Sequence, residues 1–417
     1  MSKTGRNLAS AFLSQIIRYL APLAFYPFLT RALSAEGFAV FALGLAAAQI
    51  VGQIIEFGFG LSGVRRFAEG GDVDEERARV FGDVVLGRML LCVAVACCGL
   101  AVWLVLPREN IGAGVFAAIA ILGSGYGFSA SWYYIAKEQA ARLAFQEVCV
   151  SFTQLALLLA FVRQGDGAWL ALLLIAVPVW VAVFYGHGVA LREHGVFWPG
   201  RRRLQTQFVE AFHFFCFTGL TPIMNRANLI ILGAMAPPLQ VAYFAIGERI
   251  VTAVANAGIP LTRVMMPKIC GMLQNEGARA RAMFRKTLAI MVGLAAAGAA
   301  IGVALAPWGL EFIFGPEMRA AYPVVAIQLC LVPLMLCSRM IGTLALVPLH
   351  REKAYQRIVL VFGALGLFAA PMAIMLGEGV GLALARFAIE HGVVILCVRV
   401  LVQSENRWLG ATAEAPA

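Results

Sequence analysis

Hydrophobic positions in this chain run in blocks of about 20 residues, separated by short polar stretches. They do not alternate with a period of two or fall on one stripe of a helix. Blocks of that length match the rise needed for a helix to cross the hydrocarbon of a bilayer. They predict spans near 8–29, 38–63, 81–106, 113–136, 143–163 and 169–191, then 207–232, 241–262, 285–308, 321–347, 357–376 and 381–402. The separation between the last two is the thinnest, a Gly377 to Gly381 break. Twelve spans predict an all-α polytopic membrane protein with both termini on one side. The polar stretch before residue 8 leads into an apolar run too long for a signal peptide's core and without a cleavage site, so it reads as a retained first helix.

Composition supports the pattern. Of 417 residues, 61% are hydrophobic and 13% charged, about half the charge of an ordinary soluble domain. The mean hydropathy is +0.82. Secreted, disordered and nucleic-acid-binding classes are excluded, because only lipid tolerates such runs facing outward. No segment between spans is long enough to build an independent core, which leaves no room for an extramembrane catalytic domain. The nine cysteines show no disulfide or metal-ligand spacing.

The net charge of +10 could point to an anionic partner, but its placement explains most of it. With the N-terminus cytoplasmic, the loops and tails on that side hold 23 Lys and Arg, while the opposite loops hold only Arg31, Arg108, Arg163 and Arg319. The positive-inside rule then sets the orientation, with both termini cytoplasmic.

The halves resemble each other. Ala11-Phe12 with Leu20-Ala21-Pro22 recurs as Ala211-Phe212 with Leu220-Thr221-Pro222, and Ala39-Val40-Phe41-Ala42-Leu43-Gly44 as Ala242-Tyr243-Phe244-Ala245-Ile246-Gly247. A parallel repeat of two six-helix lobes follows, 1–191 and 207–402, with a basic linker at 192–206 and a tail at 403–417. Proteins built this way place substrate between lobes that rock, and prolines such as Pro22, Pro178, Pro222 and Pro333 offer kinks for the motion.

Polar residues inside the spans supply the candidate chemistry. Gln49, Gln53 and Glu56 share one helical face, as do Gln15 and Arg18; at the repeat offset Gln49 and Gln53 map onto Thr252 and Asn256. These read either as a hydrated cavity's polar face or as interhelical hydrogen-bond glue. Six arginines lie within spans. Arg386 and Glu390, four apart, are expected to pair on one helix. Arg88 can snorkel or meet Asp83 or Glu56, and Arg226 is placed to meet Glu248 across a hairpin. Arg18, Arg339 and Arg249 lack a well-aimed acid, and such guanidiniums suit a diphosphate. The candidate diphosphate set is therefore Arg18, Arg339, Arg249, Arg226 and Arg88. Gln15, Gln49, Gln53, Thr252 and Asn256 are candidates for sugar hydroxyls, and Glu56, Asp83 and Glu248 for coupling.

Short motifs carry a family resemblance. They are Tyr26-Pro27-Phe28-Leu29-Thr30-Arg31-Ala32-Leu33, Ala35-Glu36-Gly37-Phe38, Glu56-Phe57-Gly58-Phe59-Gly60 before Arg65-Arg66, Ser131-Trp132-Tyr133-Tyr134 before Lys137-Glu138, and Leu346-Val347-Pro348-Leu349-His350-Arg351-Glu352-Lys353. The chain resembles the polysaccharide and O-antigen flippases of the multidrug/oligosaccharidyl-lipid/polysaccharide (MOP) exporter superfamily. The resemblance implies a V of two lobes in a bacterial cytoplasmic membrane. It also implies a non-enzymatic transport of undecaprenyl-diphosphate-linked oligosaccharide, an O-antigen or exopolysaccharide unit, by alternating access. The lipid II flippases usually have two more helices, and cation-coupled drug exporters of the superfamily should line their cavity with acids; both remain alternatives. No cofactor is expected, with a proton, sodium ion or the membrane potential as candidate drive, and a polysaccharide polymerase and chain-length regulator as expected partners.

Overall fold

The computed structural model describes residues 24–69, 74–105, 112–195, 197, 200–256, 258–273, 276–404 and 408. The elements, in order, are α1 (24–32), α2 (Ser34–Glu56), α3 (Phe59–Glu69), α4 (Asp74–Val105), α5 (Ala113–Gly127), α6 (Ser131–Ala136), α7 (Ala140–Phe161) and α8 (Ala168–His194). There follow α9 (Arg201–Phe214), α10 (Leu220–Met235), α11 (Pro238–Asn256), α12 (Ile259–Leu273), α13 (Gly277–Phe314), α14 (Tyr322–Ile341) and α15 (Glu352–Gln403). Single π turns, Phe215–Gly219 and Gly342–Leu346, join α9 to α10 and extend α14. No strand occurs among the described residues.

Among the described residues, eight helical stretches are long and apolar enough to cross a bilayer. Their outward faces are apolar as well: Phe145 is 72% exposed, Phe312 81%, Leu376 82% and Phe368 84%. Large side chains laid bare along whole helices are stable in hydrocarbon and not in water, so this is a multi-pass membrane protein. The 52-residue α15 spans roughly twice the length that a bilayer needs. It breaks at Gly377 (φ −167°, ψ 24°) and Glu378 (φ 49°, ψ −128°), within the glycine-bounded segment where the apolar pattern divides.

The chain forms two compact units, Met1–Ile230 and Ile231–Ala417. In the first, α2 lies against α5 and α5 against α8. Phe38 and Phe41 are fully buried beside Tyr26. In the second, α14 contacts α11, α13 and α15, and Ile341, Leu344 and Leu346 close its core beneath Trp408. Three predicted spans are interrupted, the one expected over 113–136 between Gly127 and Ser131. The span expected over 38–63 stops at Glu56, and the chain resumes as α3. The span expected over 241–262 stops at Asn256, and α12 starts at Ile259.

Candidate functional site

In the first unit the polar face of α2 closes on itself. Glu56 ends α2 while Phe57 (φ 45°) and Gly58 (φ 77°) take left-handed backbone, turning the chain so that the carboxylate faces the start of α3. Its Oε2 accepts the Gly58 N–H at 2.9 Å and its Oε1 the Gly60 N–H at 2.7 Å, satisfying donors that a helix start leaves open. Gln53 Nε2 donates to Oε2 at 3.4 Å. The Arg88 guanidinium lies 3.7 Å from Oε1 and donates to the Ser129 carbonyl at 2.8 Å. Arg88 is 2% exposed, so Arg88 and Glu56, a candidate diphosphate ligand and a candidate coupling acid, neutralise each other and hold α2, α3 and α4 together. Gln49 is half-buried on α2. Gln15 and Arg18 lie outside the described residues.

Asp83, the second candidate coupling acid, has a fully buried side chain. Arg203 of α9 reaches it through Nε at 2.5 Å and forks onto Glu76 through its two terminal nitrogens at 2.6 and 3.2 Å. Arg66 of α3 stands 3.9 Å from Asp83 and donates to Glu210 of α9 at 2.8 Å. Arg203 lies outside the spans, and the hydrogen bond to Glu76, joined by that to Asp83, raises its proton affinity above the ordinary guanidinium value. The network thus ties α9 to α3 and α4. Replacing Arg203 with alanine is expected to cost about 3 kcal/mol, because it strands a buried carboxylate. Adding Asp83→Asn is expected to recover much of that loss in thermal unfolding of the purified protein, whereas additive losses would contradict the coupling.

The Trp132-Tyr133-Tyr134 motif serves a similar tie. Tyr133 Oη donates to Glu193 Oε2 at 2.5 Å and sits 3.1 Å from His194 Nε2, while Lys137 pairs with the same Glu193. Glu193 and His194 are residues that the sequence pattern does not single out; their place in the last turn of α8 is the only signal.

In the second unit the arrangement differs. Arg339 of α14 donates to Asn256 Oδ1 of α11 at 2.6 Å, joining one residue from the diphosphate set to one from the sugar set. Among the described residues no carboxylate lies within ion-pair distance of Arg339. Asn256 is buried and Thr252, one turn earlier, half-buried. Arg249 on α11 and, in the first unit, Arg226 on α10 are also half-buried. The expected Arg386–Glu390 pair does not form. Arg386 reaches across to Glu248 at 3.5 Å with its guanidinium over the Phe244 ring, and Glu390 accepts from Ser338 Oγ at 2.7 Å. The order Arg-then-Glu is the weaker of the two intrahelical arrangements, and α11 presents a buried acid, Glu248, to α15. Glu248, the third candidate for coupling, is therefore held as a counter-ion.

Geometrically, the first unit binds its charges to one another and the second leaves a guanidinium on a neutral amide. Comparison with known proteins adds the family. The model of the polysaccharide biosynthesis protein family matches residues 4–272. A relative from Escherichia coli (strain K12), whose name assigns it provisionally to O-antigen transport, is 22% identical over 390 residues, covering 92% of this chain and 93% of its own. A Shigella dysenteriae relative with the same name is 22% identical over 374 residues, 88% and 92% of the two chains. Among solved structures, the lipid II flippase MurJ in an inward closed conformation superposes with a TM-score of 0.74 at 12% identity, covering 96% of this chain and 88% of that one. An inward-facing multidrug resistance MATE transporter of the MOP superfamily gives 0.67 at 12% identity, covering 96% and 100%. With a family match over more than half its length, the chain belongs to the polysaccharide biosynthesis protein family, and its fold is that of these solved transporters.

Proposed function

We propose that this protein flips an undecaprenyl-diphosphate-linked oligosaccharide, an O-antigen or exopolysaccharide repeat unit, from the inner to the outer leaflet of the bacterial cytoplasmic membrane. The observation that carries the reading is Arg339. A guanidinium well inside a membrane span is costly unless it is paired or has an anion to meet, and this one rests on the neutral amide of Asn256. Its forked donors fit phosphate oxygens.

The names of the relatives, O-antigen transporters, support a glycan cargo. In this reading twelve spans form two lobes, 1–191 and 207–402, joined by the basic linker 192–206. Both termini, including the 403–417 tail, are cytoplasmic. Transport is by alternating access, with Arg18, Arg226, Arg249 and Arg339 as the proposed diphosphate ligands and Gln15, Gln49, Thr252 and Asn256 as the proposed partners of sugar hydroxyls. The polyprenyl tail stays in lipid, so the protein has only to replace the hydration of the phosphates and sugars. Release requires that the clamp be incomplete, which a single neutral tether at Arg339 provides. No chemical step is involved, and a polymerase and a chain-length regulator act on the delivered unit.

The test is translocation of a fluorescent undecaprenyl-diphosphate oligosaccharide in proteoliposomes, with efflux of a cationic dye as the counter-assay. Glycan translocation without dye efflux supports the reading; dye efflux without glycan movement overturns it in favour of a drug exporter.

A further inference from the structure

The partner exchange at Arg386 leaves one acid in an unusual position. Glu390 lies near the middle of the second half of α15, about 18 Å from the break at Glu378 and about 20 Å from Gln403. Its recorded hydrogen bond is to a hydroxyl, Ser338 Oγ at 2.7 Å. Among the described residues no cation stands within ion-pair distance of it. Arg386, one turn earlier, is held by Glu248, and Arg339, next to Ser338, by Asn256. Titratable groups close enough to feel the Glu390 charge are Cys337 from α14, Tyr355 from the first half of α15 and Cys397 from its own half. His391 follows it in sequence, but its Nδ1 is 2.9 Å from the carbonyl of Phe387 on the same helix. An acid at membrane depth without a counter-ion either takes up a proton or marks a functional position.

Ser338 is placed to serve both protonation states. Its Oγ is 2.7 Å from Glu390 Oε1 and 3.2 Å from the Met335 carbonyl, yet the hydroxyl has one hydrogen to give. With Glu390 ionised, the Ser338 O–H donates to the carboxylate. When the carboxylate gains a proton, its new O–H donates to Ser338 Oγ, and the serine hydrogen turns to the Met335 carbonyl. One proton is bound and one hydroxyl rotates; no other group has to change its charge.

We propose that Glu390, with Ser338 as its two-way hydrogen-bond partner, is the proton-binding site that couples the transmembrane proton gradient to glycan translocation. The site takes the place of Glu56, Asp83 and Glu248, which stand beside Arg88, Arg203 and Arg386. Ser338 and Arg339 are successive residues on α14, so the proton site adjoins the guanidinium assigned to the diphosphate. The proposal rests on the flippase reading for its coupling, but the proton site itself is measurable without substrate.

The experiment uses the full-length protein in lipid vesicles. Infrared difference spectra taken through a pH titration should show the C=O stretch of a protonated carboxylic acid in the wild type. That band should vanish in Glu390→Gln and persist with a shifted midpoint in Glu390→Asp and in Ser338→Ala. In translocation assays an imposed pH gradient should accelerate the wild type about tenfold more than it accelerates Glu390→Gln. A titrating band that survives unchanged in Glu390→Gln, together with an unchanged response to the gradient, would overturn the proposal. Loss of the band in Glu390→Gln, with no glycan moved by the wild type, would support the proton site and sink the proposed cargo. An unaltered gradient response in a protein that does move glycan would sink the proton site and leave the cargo standing.

Discussion

Replacing Arg339 with alanine is expected to slow translocation of the lipid-linked glycan by about 10- to 100-fold at equal membrane insertion, the value of a hydrogen bond to a charged group. The Arg339→Lys variant should keep part of the rate, since it keeps the charge and loses the fork. A sharper form of the test acts on the partner. Asn256 Oδ1 accepts from Arg339 at 2.6 Å, so Asn256→Asp places a carboxylate in an established hydrogen-bond position and converts a neutral tether into an ion pair. The account predicts a protein at least as resistant to heat as the wild type and as slow in translocation as Arg339→Ala, because the guanidinium is then neutralised in place. If Arg339 merely props α14 against α11, Asn256→Asp should translocate normally or better. Thermal unfolding and translocation measured on the same preparations separate the two.

The second large effect is structural. Gly58→Ala is expected to destabilise the first unit by about 3 kcal/mol, combining a left-handed backbone with a backbone collision. At Gly58 φ is +77°, and an added Cβ would stand 2.3 Å from the Ala211 carbonyl oxygen and 2.7 Å from the Phe215 nitrogen. Both are main-chain atoms where α9 passes into the π turn, so neither can rotate away. The neighbouring Phe57 ring stacks on Phe215 at 4.8 Å, which fixes the approach further. Gly188→Ala is the control: it lies in α8 with open space around the added methyl and should be neutral or slightly stabilising, as alanine is in helices. Equal unfolding temperatures for the two variants would contradict this account of the Glu56-Phe57-Gly58-Phe59-Gly60 motif.

That motif shows how much the sequence carries and where it stops. The apolar blocks mark the membrane helices because hydrocarbon permits little else, and even the division of α15 was visible in the glycines at 377 to 381. The polar faces of α2 and α11 were visible too, since periodicity reports which residues share a side. Periodicity does not report which helix lies opposite. For Arg88 the sequence left snorkelling, Asp83 and Glu56 open beside a ligand role, and the structure sets it against Glu56 and the Ser129 carbonyl. Arg386 looked paired within its helix because Glu390 is four residues on, whereas Glu248 comes from 138 positions earlier in the chain. Arg203 read as one more basic residue of a cytoplasmic loop, and nothing in its local sequence announces Glu76 and Asp83. Partner choice across helices is a property of packing depth and facing, and a linear pattern holds only half of that information.

The most direct measurement of the central claim is glycan translocation in proteoliposomes for the wild type, Arg339→Ala and Asn256→Asp at matched insertion and orientation. The account predicts transfer of the fluorescent undecaprenyl-diphosphate oligosaccharide by the wild type and loss of about 10-fold or more in both variants, with Asn256→Asp still fully folded. Rapid transfer by Asn256→Asp, or a wild type that moves cationic dyes but no lipid-linked glycan, would contradict it.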